Sequence, residues 1–399
     1  MKVTSIDVFA LKPRCVPMAM RGIVCRIHTD EGLYGYGEAA LSYGKGAMAG
    51  FHMIKELAPL VIGQDPMQVE KLWERMFKET FWGITGGAVF YAAMSAIDIA
   101  LMDIKGKALG VPCYELLGGK QRDSLRAYAS QLQLGWVDDD AEGFQLQFTP
   151  EDYAREALKA VAEGYTAIKT DFTCVDGRAK RVRPYDALTG LLSNDVLQEA
   201  TARLKATREA VGPDIDIIVE CHSNTDALSG TQFGRAIEEY NVYYYEEPTS
   251  VSNPITTKNL SRRVNVPIAN GERIYTRWQF LPFLQDDSIQ VLQPEIANCG
   301  GLTECKKICD LGHIFDASVQ VHVCGSPISL AAALQVEAAI PNFQIHEHHV
   351  INKVNFIREL GLYDIAPVQG SFQVPDRPGI GQELSDYAIQ TAYCETITA

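Results

Sequence analysis

IDIIVECH (215–222), VYYYEEPT (242–249) and PIANGER (267–273) are three apolar runs that each bring a glutamate to their end. Glu220, Glu246 and Glu272 follow one another at intervals of 26 residues. A strand, a helix and two loops fill about that length in a parallel βαβ unit. Three carboxylates delivered from successive strand ends converge at the mouth of a barrel. An all-oxygen donor set selects a hard cation, and Mg²⁺, one per subunit, is the expected occupant.

The same rhythm extends in both directions. LRAYAS (125–130) and TAIKTDF (166–172) precede the triplet; SIQVLQPE (288–295), ASVQVHVC (317–324) and FQIHEHH (343–349) follow it. Helical patterns such as PEDYAREALKAVAEG fill the gaps. Eight βα units over about 225 residues fit a (β/α)₈ barrel, a TIM-like α/β fold. The first 122 residues read differently. IVCRIHT (23–29) and LYGYGEA (33–39) form a hairpin about Asp30-Glu31-Gly32. Helical periodicity runs from about 46 to 80, and a helix carrying Met94, Ile97, Leu101 and Ile104 stops at Gly110. The expected organisation is an α+β capping domain over 1–122, a catalytic barrel over 123–350, and a segment over 351–399 that returns to the cap.

A net charge of −14 argues against nucleic acid or an anionic membrane as partner. No run approaches the roughly 18 apolar residues of a membrane span. The ten cysteines show no CxxC, so reduced thiols in a cytoplasm are expected. One segment runs against the acidic background: residues 174–195 carry Arg178, Lys180, Arg181 and Arg183. Leaving the C-terminal end of the second barrel strand, it is either a lid that attracts carboxylates or a solvated or subunit-contact loop.

Alternation along a strand assigns faces. Glu220 and His222 share the inner face, as do Lys169 and Asp171, and Gln293 and Glu295. His322 closes the seventh strand and Glu347 the eighth. Such a site suits proton abstraction beside a carboxylate. The α-proton is a weak acid, so a cation must stabilise the ene-diolate and a base must stand on one face. If a β-hydroxyl leaves, an acid must protonate it. His322 and His222 suit these two tasks, and Glu295 can hydrogen-bond His322 to raise its basicity. Arg273 is placed to orient a ligand or neutralise carboxylates. Tyr43 and Trp82, in capping loops, are candidate substrate contacts.

Together with TDEGLYGYGEA, AIDIALMDIKGKALG, YEEPT, ANGERIYTRWQF, LQPEIANCGGLTECKKI, HVCGSPIS and DRPGIGQEL, these residues resemble the mandelate racemase-like branch of the enolase superfamily, and within it the D-galactonate dehydratase-like acid sugar dehydratases. The resemblance covers nearly the whole chain. It implies that Glu220, Glu246 and Glu272 hold Mg²⁺, that His322 is the base with Glu295 as its partner, and that His222 protonates the leaving hydroxyl. It matches Lys169 to a strand-two catalytic lysine and Glu347 to the strand-eight carboxylate near the substrate carboxylate or enolate; Asp171, inward beside Lys169 by strand alternation, is a candidate substrate contact. The product implied is a 2-keto-3-deoxy acid from an aldonate. A homo-oligomer, dimer to octamer, is expected. Two positions depart from the pattern: Glu220 and Glu295 stand where the family usually has Asp. Alternatives on the same scaffold are a racemase, epimerase or cycloisomerase, or a sugar-acid-binding barrel of low competence.

Overall fold

A computed structural model describes residues 1–14 and 21–399. The first layer is antiparallel. Strands β1 (Val3–Ala10), β2 (Ile23–Thr29) and β3 (Tyr34–Ala39) pair in sequence order. Helices α1 (Ala47–Val61) and α2 (Val69–Glu79) divide the stretch read as one helical periodicity, because the chain breaks at residues 62–68. Helix α3 (Ala88–Leu109) ends on Gly110, whose φ of 70° supplies the left-handed turn. The alternating glycines of β3 explain how α3 lies on this sheet. A Cβ at Gly37 would stand 1.9 Å from the Ala96 carbonyl oxygen, and one at Gly35 would stand 2.2 Å from that of Ala100. Only glycine permits that approach.

Eight parallel strands follow: β4 (Ser124–Ser130), β5 (Ala167–Asp171), β6 (Asp216–Glu220), β7 (Tyr244–Glu246), β8 (Ile268–Asn270), β9 (Val291–Leu292), β10 (Ser318–Val319) and β11 (His346–His349). They neighbour one another in chain order, and β11 returns to pair with β4. The ring closes where Val319 N–H donates to Asn342 O (2.8 Å) and Gln344 N–H to Val319 O (2.8 Å). Inside, Tyr128, Ala167, Ile218, Tyr244, Ala269, Val291 and Ile345 form a buried layer of mixed large and small side chains. Two residues further along, on the same face, stand Ser130, Lys169, Glu220, Glu246, Gln293 and Glu347.

The tail contributes two strands. β12 (Ser371–Gln373) lies antiparallel to β4, and β13 (Tyr393–Thr398) pairs with β1 at the edge of the first sheet. The nine described cysteines are free thiols, Cys305 and Cys309 buried among them; Cys15 lies outside the described residues. No helix among the described residues is long and apolar enough to cross a membrane.

Candidate active site

The barrel mouth gathers most of the charged residues singled out above. Glu220 and Glu246 sit in register on neighbouring strands. Glu272 arrives differently. Gly271, not Glu272, continues the inner face of β8, and its missing side chain lets the Gln293 backbone press in, where a Cβ would meet it at 2.3 Å. The turn after Gly271 then delivers Glu272.

Lys169 is the centre of one half of the cluster. Its ammonium lies 2.9 Å from Glu220 Oε2, 2.5 Å from Glu246 Oε1 and 2.9 Å from Glu347 Oε1, fully buried. Burial alone would lower its pKa; Glu220, Glu246 and Glu347 hold it well above the ordinary lysine range. Lys169 is therefore a shared counter-ion with no free face. Glu347 also accepts from the Ser130 hydroxyl (2.6 Å) and the Val323 N–H (3.0 Å).

His322 anchors the other half. Its Nδ1 lies 2.7 Å from Glu295 Oε2, and its Nε2 lies 2.7 Å from Glu272 Oε2. Glu295 Oε1 meanwhile accepts from the Ala297 N–H (2.9 Å), so the longer side chain reaches imidazole and backbone together. Burial opposes the imidazolium, but Glu272 and Glu347 outweigh it and hold the His322 pKa well above its usual value. In turn His322 and Arg273 overcome burial and hold Glu272 well below the carboxylate range. Arg273 bridges Glu272 and the buried Glu247. Burial, with Glu272 nearby, pushes Glu247 up to about 7.

His222 sits beside Glu220, with Nδ1 3.0 Å from Asp171 Oδ2 and Nε2 3.2 Å from Gln131 Nε2. Burial works against its charge, yet Glu220 and then Asp171 raise it to about 10. Asp171, expected at the substrate face, is wholly enclosed beneath His222. Tyr43 is half-open to solvent; burial raises its hydroxyl, and the neighbouring titratable groups Cys324, Tyr185 and Cys174 place it facing the 174–195 segment. Trp82 is 76% exposed with its ring against Phe81, outside the charged cluster among the described residues. In the 174–195 segment, Arg183 is buried and donates to Thr173 O and Val175 O (3.1 Å each), whereas Arg178, Lys180 and Arg181 face solvent.

The donor chemistry fits a hard cation. Three carboxylates stand at neighbouring strand ends, and Glu246 Oε2 is buried without a hydrogen-bond donor. Burial and Glu220 push Glu246 well above the carboxylate range, the signature of an anion whose charge is incompletely compensated. As they stand, no three metal-binding side chains among the described residues are drawn into one ligand cluster. Lys169 binds Glu220 and Glu246 together, while Arg273 binds Glu272.

Two family descriptions match this chain: "Mandelate racemase / muconate lactonizing enzyme, N-terminal domain" over residues 11–118, and "Enolase C-terminal domain-like" over residues 152–388. The chain belongs to the enolase superfamily. This enolase-superfamily enzyme is 31% identical over 375 residues to the D-xylonate dehydratase of Haloferax volcanii, covering 94% of this chain and 85% of that protein. It is also 31% identical over 392 residues to the D-galactonate dehydratase of Verminephrobacter eiseniae, covering 97% and 93%. A solved member of the superfamily from Salmonella Typhimurium superposes with a TM-score of 0.95 at 48% identity over the whole of both chains.

Proposed function

We propose that this enzyme is a Mg²⁺-dependent hydro-lyase that converts an aldonate-type acid sugar to its 2-keto-3-deoxy acid. The observation that carries the reading is a pair of imidazoles at one barrel mouth, each with Nδ1 against a carboxylate: His322 on Glu295 and His222 on Asp171. Relatives named for D-xylonate and D-galactonate dehydration supply the substrate class. Glu220, Glu246 and Glu272 would hold the cation, Glu272 by turning from Arg273 and His322. When bound, the cation supplies the Lewis acidity that lets charge build on the substrate carboxylate.

The chain's own residues do the rest. With Glu272 turned away, His322 would lose the contact that most favours its imidazolium; its Nδ1 proton held by Glu295, it would present the Nε2 lone pair and take the α-proton. The electrons of that C–H bond become the C=C bond of the enol as the β C–O bond breaks. His222 gives a proton from Nε2 to the departing hydroxyl, which leaves as water, and the enol tautomerises to the ketone. Glu347 and Lys169 fix the charge beside the substrate carboxylate. A racemase of the two-base kind needs a free lysine on the second strand, and Lys169 is held on three sides.

A panel of mono- and diacid sugars with Mg²⁺, read by a keto-acid assay, tests the reading. His322→Asn is expected to abolish both dehydration and solvent deuterium exchange at the α-carbon. His222→Asn is expected to slow dehydration by about 10²–10⁴-fold while exchange persists. Full dehydration by His322→Asn would remove the assigned base, and an epimer without keto acid would replace the lyase reading by epimerisation.

A further inference from the structure

Asp171 divides its two oxygens. Oδ1 accepts from the Thr173 N–H (2.8 Å), the Thr173 hydroxyl (2.8 Å) and the Cys174 N–H (2.9 Å). Oδ2 is left for His222 Nδ1 at 3.0 Å. A closed ring of hydrogen bonds passes through this pair. The Asp171 N–H donates to Gln133 Oε1 (3.3 Å), Gln133 Nε2 donates to Gln131 Oε1, and Gln131 Nε2 reaches His222 Nε2 at 3.2 Å. The imidazole returns the ring to Asp171.

The ring has one self-consistent sense. A backbone N–H can only donate, so Gln133 accepts on its oxygen and gives from its nitrogen. Gln131 then accepts on its oxygen and offers its NH₂ to the imidazole. The neutral imidazole of His222 accepts at Nε2 and donates from Nδ1, and a proton gained at Nε2 displaces the Gln131 contact. Gln131 reaches this position because its backbone is left-handed, with φ 69°, directly after β4. Both glutamines are buried.

We propose that Asp171, Gln133 and Gln131 form a positioning ring that keeps a proton on His222 Nδ1 and aims Nε2 at the barrel mouth. Its kinetic consequence rests on the dehydratase reading, whereas the place of the proton is a property of the protein alone. In the elimination the imidazolium gives its Nε2 proton to the leaving hydroxyl, after which the Gln131 amide donates to the freed Nε2, and the Nδ1 proton stays on Asp171's side throughout.

Asp171→Asn separates these statements. Three donors converge on Oδ1, so the new amide must keep its oxygen there and turn its NH₂ towards His222 Nδ1. Two donors cannot share that contact, and the proton leaves Nδ1. Long-range ¹H–¹⁵N spectra of the full-length, histidine-labelled protein read the site, with the His222 signals assigned by their absence in His222→Gln. The expected result is an Nδ1-bound proton in the wild type and none in Asp171→Asn. With Mg²⁺ and the best acid sugar, kcat of Asp171→Asn should fall on the order of 10²-fold or more with KM within about twofold. Gln133→Leu keeps the carboxylate but opens the ring; it should keep the Nδ1 proton and lose about tenfold in kcat. A proton that stays on Nδ1 in Asp171→Asn overturns the proposal, as does full turnover by Gln133→Leu should Asp171→Asn fail to fold. Should the proton move while the wild type dehydrates no acid sugar, the ring stands and the dehydratase reading falls.

Discussion

Lys169 shows how much one side chain decides at this site. A fully buried ammonium is costly unless paired, and here it is paired three times, with Glu220, Glu246 and Glu347 all buried around it. Lys169→Met keeps the length of the side chain and removes the charge, leaving three enclosed carboxylates to repel one another. Urea unfolding in a chelator should show a loss of about 3–5 kcal/mol. Added Mg²⁺ should restore more stability to the variant than it adds to the wild type, because a cation bound by Glu220 and Glu246 replaces the missing charge. Unchanged stability in chelator would show that Lys169 is not the counter-ion. The residue types at this mouth were legible in the sequence, because inner-face positions follow from counting in twos along a strand. Their partners were not. That Lys169 is surrounded, that Glu247 joins Arg273, and that Asp171 lies under His222 all depend on side-chain geometry across strands. The two glutamines carried no signal, since a left-handed Gln131 has no sequence signature.

Between elements, Glu38 performs a comparable task. It is the last residue but one of β3, and its carboxylate accepts from the Ser326 N–H (3.0 and 3.1 Å), the Ser326 hydroxyl (2.6 Å) and the Ser329 N–H (3.1 Å). These are first-turn groups of the helix Pro327–Ala339, which have no partner within their own helix. A residue of the first sheet thus caps a barrel helix that begins shortly after His322 in the chain. Burial pushes the Glu38 pKa up, and the Ser326 bonds oppose that rise. Glu38→Ala strands those donors in a dry interface and should cost about 3 kcal/mol, with Glu38→Gln, which keeps an acceptor, costing less. Hydrogen exchange offers the sharper measurement. The Ser326 and Ser329 amides should lose protection first, and equal protection in Glu38→Ala would exclude the capping role.

At the scale of the molecule, the alternating strands and helices were legible because each apolar run is bounded by charge or turn residues. The short β9 and β10 were over-read in length, since barrel strands leave the ladder while their sequence stays apolar. What joins the first layer to the barrel was not legible, because the joint is made by polar atoms on helices far apart in the chain. Asp98 on α3 accepts the Thr303 N–H (3.0 Å) at the start of the helix Gly301–Ile314, and the Gly300 N–H donates to Ser95 (2.9 Å) beside it. The other Asp98 oxygen is buried without a donor. Burial raises Asp98 from 3.8 to about 7 despite the Thr303 bonds. The folded chain therefore keeps a proton that the unfolded chain has released above about pH 4. The stability from this group is complete below that pH and is lost as pH rises through about 7. Asp98→Asn removes the titration while its amide oxygen keeps the Thr303 contact. The wild type minus the variant, compared by urea unfolding at pH 5 and pH 8, should shift against the wild type by on the order of 1–3 kcal/mol. The difference cancels the other carboxylates, which titrate in both proteins. Parallel profiles would mean that the joint between the two layers does not titrate at Asp98.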